Sequence, residues 1–135
     1  MRHLLLTIPG HPHHIGCVLY DTRREMWDAI NKGSDFLGFY ESKFAGIYRP
    51  SVMGVVHLSR DFCHSGVVAH ELLHAVLDVG FALNSTRDED GNDNVSDTEA
   101  LCNMMEDLTT QFWDWHYELE DEDISDNQRE VVNAS

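Results

Sequence analysis

Cysteine and basic residues are scarce in this sequence. Among 135 residues there are 3 cysteines and 9 lysines or arginines. The three cysteines, Cys17, Cys63 and Cys102, are an odd number and lack the spacing of a disulfide framework or a C-x-x-C metal knuckle. The sequence therefore gives no support for a disulfide-stabilised secreted fold, and we expect a reducing, cytoplasmic location.

The shortage of positive charge argues against nucleic acids and anionic membranes as partners. The 24 acidic residues outnumber the 9 basic ones, so the formal net charge is −15. Such a chain repels phosphate backbones and anionic lipid surfaces. We therefore expect no direct nucleic-acid partner and no membrane partner. Much of the acidic charge falls in residues 88–93 and 118–126, which are predicted to be a loop and a tail.

Long apolar runs are also lacking. The run Leu4-Leu5-Leu6 near the N-terminus is shorter than the roughly 7–15 residues of a signal-peptide core. A transmembrane helix needs about 20 mostly apolar residues, and on this criterion the sequence predicts no membrane span.

The chain does contain enough apolar residues for one core. Its hydrophobic fraction is 42%, and its length falls in the range of about 100–150 residues typical of a single domain. We predict one domain over residues 1–117, followed by an acidic, flexible tail over residues 118–135. Residues 3–8, 44–48 and 52–58 are predicted strands, with a hairpin turn at residues 49–51.

Three helices are predicted from apolar residues at helical spacing. The first covers residues 21–31 before Gly33, the second covers residues 64–79 with Gly80 as its stop, and the third covers residues 97–117. The chain is therefore predicted to be an α+β protein. A small three-stranded sheet, mixed or antiparallel, would pack on the central helix and on a second long helix.

The central helix contains the motif His70-Glu71-Leu72-Leu73-His74, which matches H-E-x-x-H. Side chains at i and i+4 lie one above the other on a helix face, so both imidazoles can reach one metal ion. Glu71 lies about 100° round the helix, where it can take a proton from metal-bound water without being a ligand. We predict zinc ligation by His70 and His74, with Glu71 as the general base. The alternative is a solvated helix face with two histidines and a glutamate.

A catalytic zinc ion usually has three protein ligands. The metzincin motif would require glycine at position 77 and histidine at position 80, where this chain has Leu77 and Gly80. Asp78 lies one turn beyond His74, but three ligands along one straight helix would span about 12 Å. Neither the metzincin pattern nor Asp78 is therefore expected to complete the site.

Glu99, at the start of the next predicted helix, is the predicted third ligand and would give a His₂Glu site. The segment Ser96-Asp97-Thr98-Glu99 also fits an S-x-x-E capping box, so a helix-capping role for Glu99 is the alternative. Asn103 lies one turn later on the same face and is a candidate to hydrogen-bond a ligating histidine, with an exposed or packing role as its alternative.

A second histidine patch lies near the N-terminus, at His11, His13 and His14. Pro12 breaks helical geometry within it, and short histidine-rich loops are often merely solvated. We expect no specific metal site there.

These residues resemble a known family. Gly54–Leu58, the helix segment Val67–Ala75 and the pair Glu99-Ala100 look like the minimal zincins of the gluzincin type that many bacteriophages encode. The ImmA/IrrE-type peptidase domains are more distant relatives. The resemblance, which covers roughly residues 44–108, implies a zinc metallopeptidase with one Zn²⁺ per chain and a location in the bacterial host cytoplasm. It places metal ligands at His70, His74 and Glu99 and the general base at Glu71.

The resemblance also implies how a substrate would bind. An extended peptide or protein segment would pair with an edge strand over residues 52–58, beside the metal cleft. No residue matches the family's oxyanion stabiliser. His57, His116 and Tyr117 are candidates for that role, each with a packing or surface role as its alternative.

A function of a different class is also compatible with the sequence. The metal could serve only to stabilise a non-catalytic binding module. A small acidic chain can also inhibit a host or phage protein by occupying a basic surface. The peptidase prediction is preferred because it assigns a role to specific residues.

Overall fold

The structure, a computed structural model, describes residues 1–44, 50–87, 93–95 and 98–134. It is an α+β fold with a mixed, 4-stranded sheet. The strands are β1 (Arg2–Thr7), β2 (His14–Tyr20), β3 (Gly38–Ser42) and β4 (Val52–Ser59), in the spatial order β1-β2-β4-β3. Strands β2 and β4 are parallel, whereas β1 and β3 run antiparallel to their neighbours. The two edges of this sheet are therefore β1 and β3.

The observed sheet corrects the three-stranded prediction. The prediction omits β2, and it places a strand at residues 44–48, whereas β3 is Gly38–Ser42 and residues 45–49 lie outside the described part of the chain. The strand predicted at residues 52–58 is confirmed as β4. Its predicted edge position is wrong, because β4 pairs with β2 on one side and with β3 on the other.

The first helix, α1 (Arg23–Ile30), confirms the prediction for residues 21–31. The hydroxyl of Thr22 accepts a hydrogen bond from the Glu25 backbone N–H at 3.2 Å and thereby caps the helix N-terminus. The helix ends at Asn31, whose φ of 54° lies in the left-handed region that closes many helices. The stop is therefore Asn31 and not Gly33.

The central helix is longer than predicted. Helix α2 (Ser65–Ala75) continues through a π-helical turn (Val76–Gly80) into α3 (Phe81–Asn84). Gly80 therefore does not end the helix. A Cβ atom at Gly80 would lie 2.6 Å from Leu101 Cδ2, so this glycine allows close packing of the next helix.

Two further strands and one long helix complete the described chain. Strands β5 (Ser85–Arg87) and β6 (Asp93–Val95) pair antiparallel. Helix α4 (Thr98–Ala134) has 37 residues and extends well beyond the predicted end at residue 117. The predicted flexible tail is thus helical through Ala134, and Leu119 within it is buried in the core.

Helix α4 runs antiparallel to the central helix. Near its start, Leu101 and Met104 pack beside Gly80. Near the other end, Asp123 forms an ion pair with Arg60, in the short 3₁₀ turn Arg60–Phe62 that precedes α2. Contacts at both ends therefore fix the direction of α4.

The core lies between one face of the sheet and the helices α2 and α4. Its residues come from both central strands, from the buried face of the central helix and from α4: Ile15, Cys17, Leu19, Val56, Leu58, Val68, Leu72, Val76, Met104, Leu108 and Phe112. Burial of this apolar face is the main stabilising contribution expected for such a layer arrangement.

One described helical stretch, Ser65–Leu83, is long and apolar enough to span a membrane by length and composition, with a mean hydropathy of 1.4. This finding corrects the exclusion of every such stretch from sequence. Val68, Leu72 and Val76 of the stretch are buried against the sheet and α4. The fold thus accounts for its apolar character as that of a core helix.

Gly54 provides a test of how closely the helix and sheet are packed. A Cβ atom at this position would lie 2.6 Å from Cζ of Tyr40, whose hydroxyl donates a hydrogen bond to Asp78 Oδ2 at 2.7 Å. Because that bond restrains the ring, we expect Gly54→Ala to lower the free energy of unfolding by about 1–3 kcal/mol, the usual cost of overpacking. Urea denaturation measures the change.

Gly66→Ala is the matched control, because a Cβ atom at Gly66 meets nothing within 4 Å. Alanine is favoured over glycine within helices by roughly 0.5–1 kcal/mol, so this variant should be no less stable than the wild type. A Gly54→Ala protein as stable as Gly66→Ala would contradict the packing argument.

Candidate metal centre

His70 and His74 lie together on the exposed side of α2. Their Nε2 atoms are 3.2 Å apart, and the planes of the rings are inclined at 77°. The side chain of His70 is 68% exposed, so solvent can reach the pair. The structure therefore brings together the two histidines that the motif predicts as ligands.

The separation of these nitrogens fits a shared zinc ion. Two nitrogen ligands bound at about 2.0–2.1 Å in tetrahedral geometry lie about 3.3–3.4 Å apart. The observed 3.2 Å is close to that value. Two neutral imidazoles can also share a hydrogen bond at this distance, so the geometry is compatible with a metal site without demonstrating one.

Glu71 lies next to His70 and under strand β3. It is 5% exposed, and its Oε1 lies 3.9 Å from His70 Nε2. Burial raises the pKa of the Glu71 carboxyl, while His70 and His74 act in the opposite direction. A buried carboxylate with a raised pKa, beside two potential ligands, matches the usual environment of a general base.

The backbone of β3 lies directly over Glu71. A Cβ atom on Gly38 would lie 2.8 Å from Glu71 Cγ. Any side chain at position 38 would therefore displace the carboxylate. This contact places the edge strand β3, and not β4, beside the predicted general base.

A cleft of about 340 Å³ opens beside His70 and Glu71. Its other walls are mostly apolar, and are formed by Phe36, Leu37, Gly38, Gly66 and Val67. The indole N–H of Trp27 donates a hydrogen bond to the Phe36 carbonyl at 2.8 Å and so anchors one wall to α1. The cleft is large enough to accept a substrate side chain next to the two histidines.

Tyr40 and Asp78 form a second link between β3 and the central helix, which sequence reasoning missed. The Tyr40 hydroxyl donates to Asp78 Oδ2 at 2.7 Å, and Asp78 lies in the π-helical turn that follows the motif. Burial and the hydrogen bond to Asp78 raise the pKa of Tyr40. Such turns often occur at functional sites, but a one-residue register change of this kind has no clear sequence signature.

The structure does not bring Glu99 into a ligand cluster with the histidines. In the described part of the chain, no group of three or more His, Cys, Asp or Glu side chains could hold a metal ion. Glu99 is exposed in the first turn of α4, the part of α4 that packs beside Gly80. At 1.5 Å per residue, Gly80 lies about 9 Å along the helix axis from His74. The first part of α4 therefore packs beside a later part of the central helix than the two histidines.

The remaining metal-related predictions also lack support from contacts. Asn103 is exposed. Among the described contacts, no hydrogen bond joins Asn103 to His70 or His74. Residues 96 and 97 of the predicted capping box lie outside the described residues. In the N-terminal patch, His13 Nδ1 lies 3.1 Å from the Pro50 carbonyl oxygen, a contact that joins the patch to the segment just before β4.

His57 lies on the opposite face of the sheet from the cleft. It pairs with Phe39, whereas the adjacent Gly38 faces Glu71, and successive side chains of a strand point to opposite faces. His57 is buried, and its Nδ1 is 3.0 Å from the Tyr20 hydroxyl. The structure thus gives it a packing role and does not place it as an oxyanion stabiliser.

The rings of His116 and Tyr117 contact each other and Trp113, and neither residue lines the cleft. Both lie on α4 between Gln111, which contacts Thr7 of β1, and Asp123, which contacts Arg60. The strand β1 forms one edge of the sheet, and β3 at the cleft forms the other. The oxyanion-stabilising candidates from sequence are therefore not assembled at this site.

Comparisons with known proteins leave the fold and site as the basis for assigning a function. No protein-family model, curated protein or solved structure matches the chain. The resemblance to gluzincins therefore stays a prediction from the motif.

Metal content separates the roles of the candidate ligands. We expect about one zinc ion per chain in the wild type, and its loss in His74→Ala, because that variant removes one of two adjacent nitrogens. Glu99→Gln should retain zinc, because no group of three potential metal ligands is found among the described residues. Elemental analysis of the three purified proteins measures this. Loss of zinc from Glu99→Gln as complete as that from His74→Ala would instead establish Glu99 as a ligand.

His57 generates a separate prediction about stability and pH. Burial lowers its pKa, and the nearby Glu41 carboxylate opposes that shift at a distance of 3.6 Å. The folded state therefore binds a proton at His57 less readily than the unfolded chain, whose histidines titrate near about 6.5. Stability contributed by neutral His57 is present above that pH and is lost as the pH falls through the folded-state pKa.

We expect the free energy of unfolding to fall between pH 7.5 and pH 5.5, and to fall less in His57→Gln. Urea denaturation at both pH values measures the difference, and His11→Gln, at an exposed histidine, is the control. An identical pH dependence in the wild type and His57→Gln would rule out His57 as the cause.

Proposed function

We propose that the protein is a zinc-dependent hydrolase that cleaves peptide bonds, with His70 and His74 as metal ligands. One observation carries the proposal. The two imidazole nitrogens lie 3.2 Å apart on a solvent-accessible helix face, with the buried Glu71 carboxylate 3.9 Å from one of them. This combination supplies two potential ligands and a base, and His70 and Glu71 line a cleft.

The chemistry divides between the metal and the chain. A zinc ion at such a site supplies Lewis acidity and lowers the pKa of a coordinated water. Glu71 accepts the proton from the attacking water and then donates it to the nitrogen of the leaving amine. Burial and the two histidines, and no hydrogen bond, shift the pKa of Glu71, so its oxygens are available for this transfer.

The same arrangement suggests how a peptide binds. Strand β3 is an edge strand, and its Gly38 lies over Glu71. An extended peptide that pairs with the outer side of β3 would run beside the cleft and present a peptide bond to Glu71. This proposal replaces the docking strand predicted at residues 52–58, which is an interior strand.

The alternative of a non-catalytic, metal-stabilised binding module also has one observation in its favour. Among the described residues, no group of three or more His, Cys, Asp or Glu side chains could hold a metal ion. A module of that kind would need His70 and His74 but would not need Glu71 as a base. Replacement of Glu71 therefore distinguishes the two functions.

We expect Glu71→Gln to lower peptide cleavage by about 10²–10⁴-fold, the usual contribution of a general base. Zinc content should not change, because Glu71 is not a ligand. Cleavage of fluorescently labelled denatured casein measures activity, and elemental analysis measures zinc. Glu106→Gln, at an exposed position on α4, is the matched control and should keep full activity.

Two outcomes would argue against the peptidase. Cleavage that survives unchanged in Glu71→Gln would exclude Glu71 as the base. A wild-type protein that holds zinc but cleaves none of a diverse peptide mixture would favour the binding module.

A further inference from the structure

The second edge of the sheet, β1, is exposed and includes one exposed leucine, with an exposed methionine just before it. Strand β1 pairs with β2 along its whole length, without a register shift. No described strand pairs with its other side. Leu5 is 55% exposed and Met1 is 59% exposed. The strand therefore presents apolar side chains together with unpaired backbone groups, a combination that favours pairing with another strand.

At one end of this edge, a side chain forms the hydrogen bonds that a neighbouring strand would otherwise form. The Thr7 backbone N–H donates to Gln111 Oε1 at 2.8 Å, and Gln111 Nε2 donates to the Thr7 carbonyl at 2.9 Å. The backbone groups of Thr7 therefore point away from β2. In an antiparallel pair this direction alternates along the strand, so those of His3 and Leu5 also point outward. No described residue forms a hydrogen bond with them.

The two edges of the sheet differ in their protection. Natural edge strands avoid pairing through charged residues, proline or bulges. Strand β3 carries Glu41 near its C-terminal end, where it forms an ion pair with Lys43 at 2.9 Å, whereas the Gly38 end of β3 beside the cleft carries no charged side chain. Within Arg2–Thr7, the one charged residue apart from the titratable His3 is Arg2 at the first position. Strand β1 thus has little of the charge, and none of the proline or bulges, that prevent edge-to-edge pairing. This indicates that another strand covers the edge in solution.

We propose that β1 pairs antiparallel with β1 of a second copy of the chain, which joins the two sheets across a two-fold axis. The outward groups of His3 and Leu5 pair with those of Leu5 and His3 in the other copy. This register places the axis at Leu4. Thr7 stays with Gln111, which limits the pairing to the free part of the strand.

The proposed register is self-complementary. Arg2 lies opposite Leu6 of the second copy, so no like charges face each other directly. Leu5 lies above a shallow apolar depression of about 290 Å³ on the outer face of the sheet, lined in part by Gly16, Val18 and Val55. Pairing would remove part of this apolar surface from water.

Net charge opposes the association of two copies and predicts a salt effect. Each chain carries a formal net charge of −15, so the copies repel one another at low ionic strength. Salt screens that repulsion within about 10 Å at 0.1 M. The dimer should therefore be more stable at about 500 mM than at about 50 mM salt.

Sedimentation equilibrium tests the proposal. We expect the wild type to approach twice the mass of one 15.4 kDa chain and to dissociate more readily at low salt. Leu5→Lys should be monomeric with an unchanged circular-dichroism spectrum. Leu77→Lys is the control, because Leu77 is also exposed, at 46%, but lies on the central helix, and it should remain dimeric.

A cross-link keeps the test decisive if Leu5→Lys fails to fold. Leu4→Cys would place two thiols at the axis, where directly opposed Cβ atoms lie about 4.5–5.5 Å apart. Oxidised glutathione would join them in one disulfide and would itself be reduced to two glutathione thiols. The test uses a Cys102→Ser background, because Cys102 is an exposed free cysteine. Arg2→Cys in that background is the control, because position 2 does not face itself.

Specific cross-linking of Leu4→Cys would support the β1 pairing. A monomeric wild type at both salt concentrations, or a dimer that only Leu77→Lys disrupts, would overturn it. These outcomes do not depend on metal content or peptide cleavage, so they leave the proposed hydrolase function to its own test.

Discussion

The close approach of the central helix to strands β3 and β4 depends on two positions that carry no Cβ atom. At Gly38, a Cβ would lie 2.8 Å from Glu71 Cγ, and at Gly54 it would lie 2.6 Å from the Tyr40 ring. These glycines let β3 lie over the first part of the helix and let Tyr40 reach Asp78 further along it. Both the depth of Glu71 and the position of the cleft follow from this packing.

That packing divides one short motif between two environments. Glu71 faces the sheet and is almost fully buried, whereas His70 and His74 face solvent. Burial of a carboxylate without a hydrogen-bond donor is costly, which is why its pKa is raised. A cation held by the two histidines would offset this cost, because a nearby positive charge favours the ionised carboxylate. The buried glutamate is thus easier to explain with a metal than without one.

The sequence was sufficient for several of the elements but not for all of them or for their arrangement. The motif helix, the first helix and the strand at residues 52–58 follow local periodicity, and the structure confirms them. Strand β2 was missed although Ile15–Tyr20 is a nearly continuous apolar run, the pattern of a strand buried on both faces. Once β2 is inserted beside β4, the predicted edge strand becomes an interior strand. The sheet face that His57 occupies likewise depends on strand register. Gly80 was predicted to end the helix, but it lies within the helix and allows close packing of Leu101.

The predicted ligand role of Glu99 rests on sequence separation and stays a prediction, whereas the structure adds the direction of its helix. Because α4 starts beside Gly80 and runs antiparallel to α2, the residues level with the two histidines are close to Leu108 and Phe112, which are fully buried. Leu108 and Phe112 belong to the same core cluster as the buried side of α2, and the two histidines lie on the exposed side of α2. Among the described residues no third carboxylate or imidazole joins the pair. The other ligands of a metal bound there would then come from solvent or substrate.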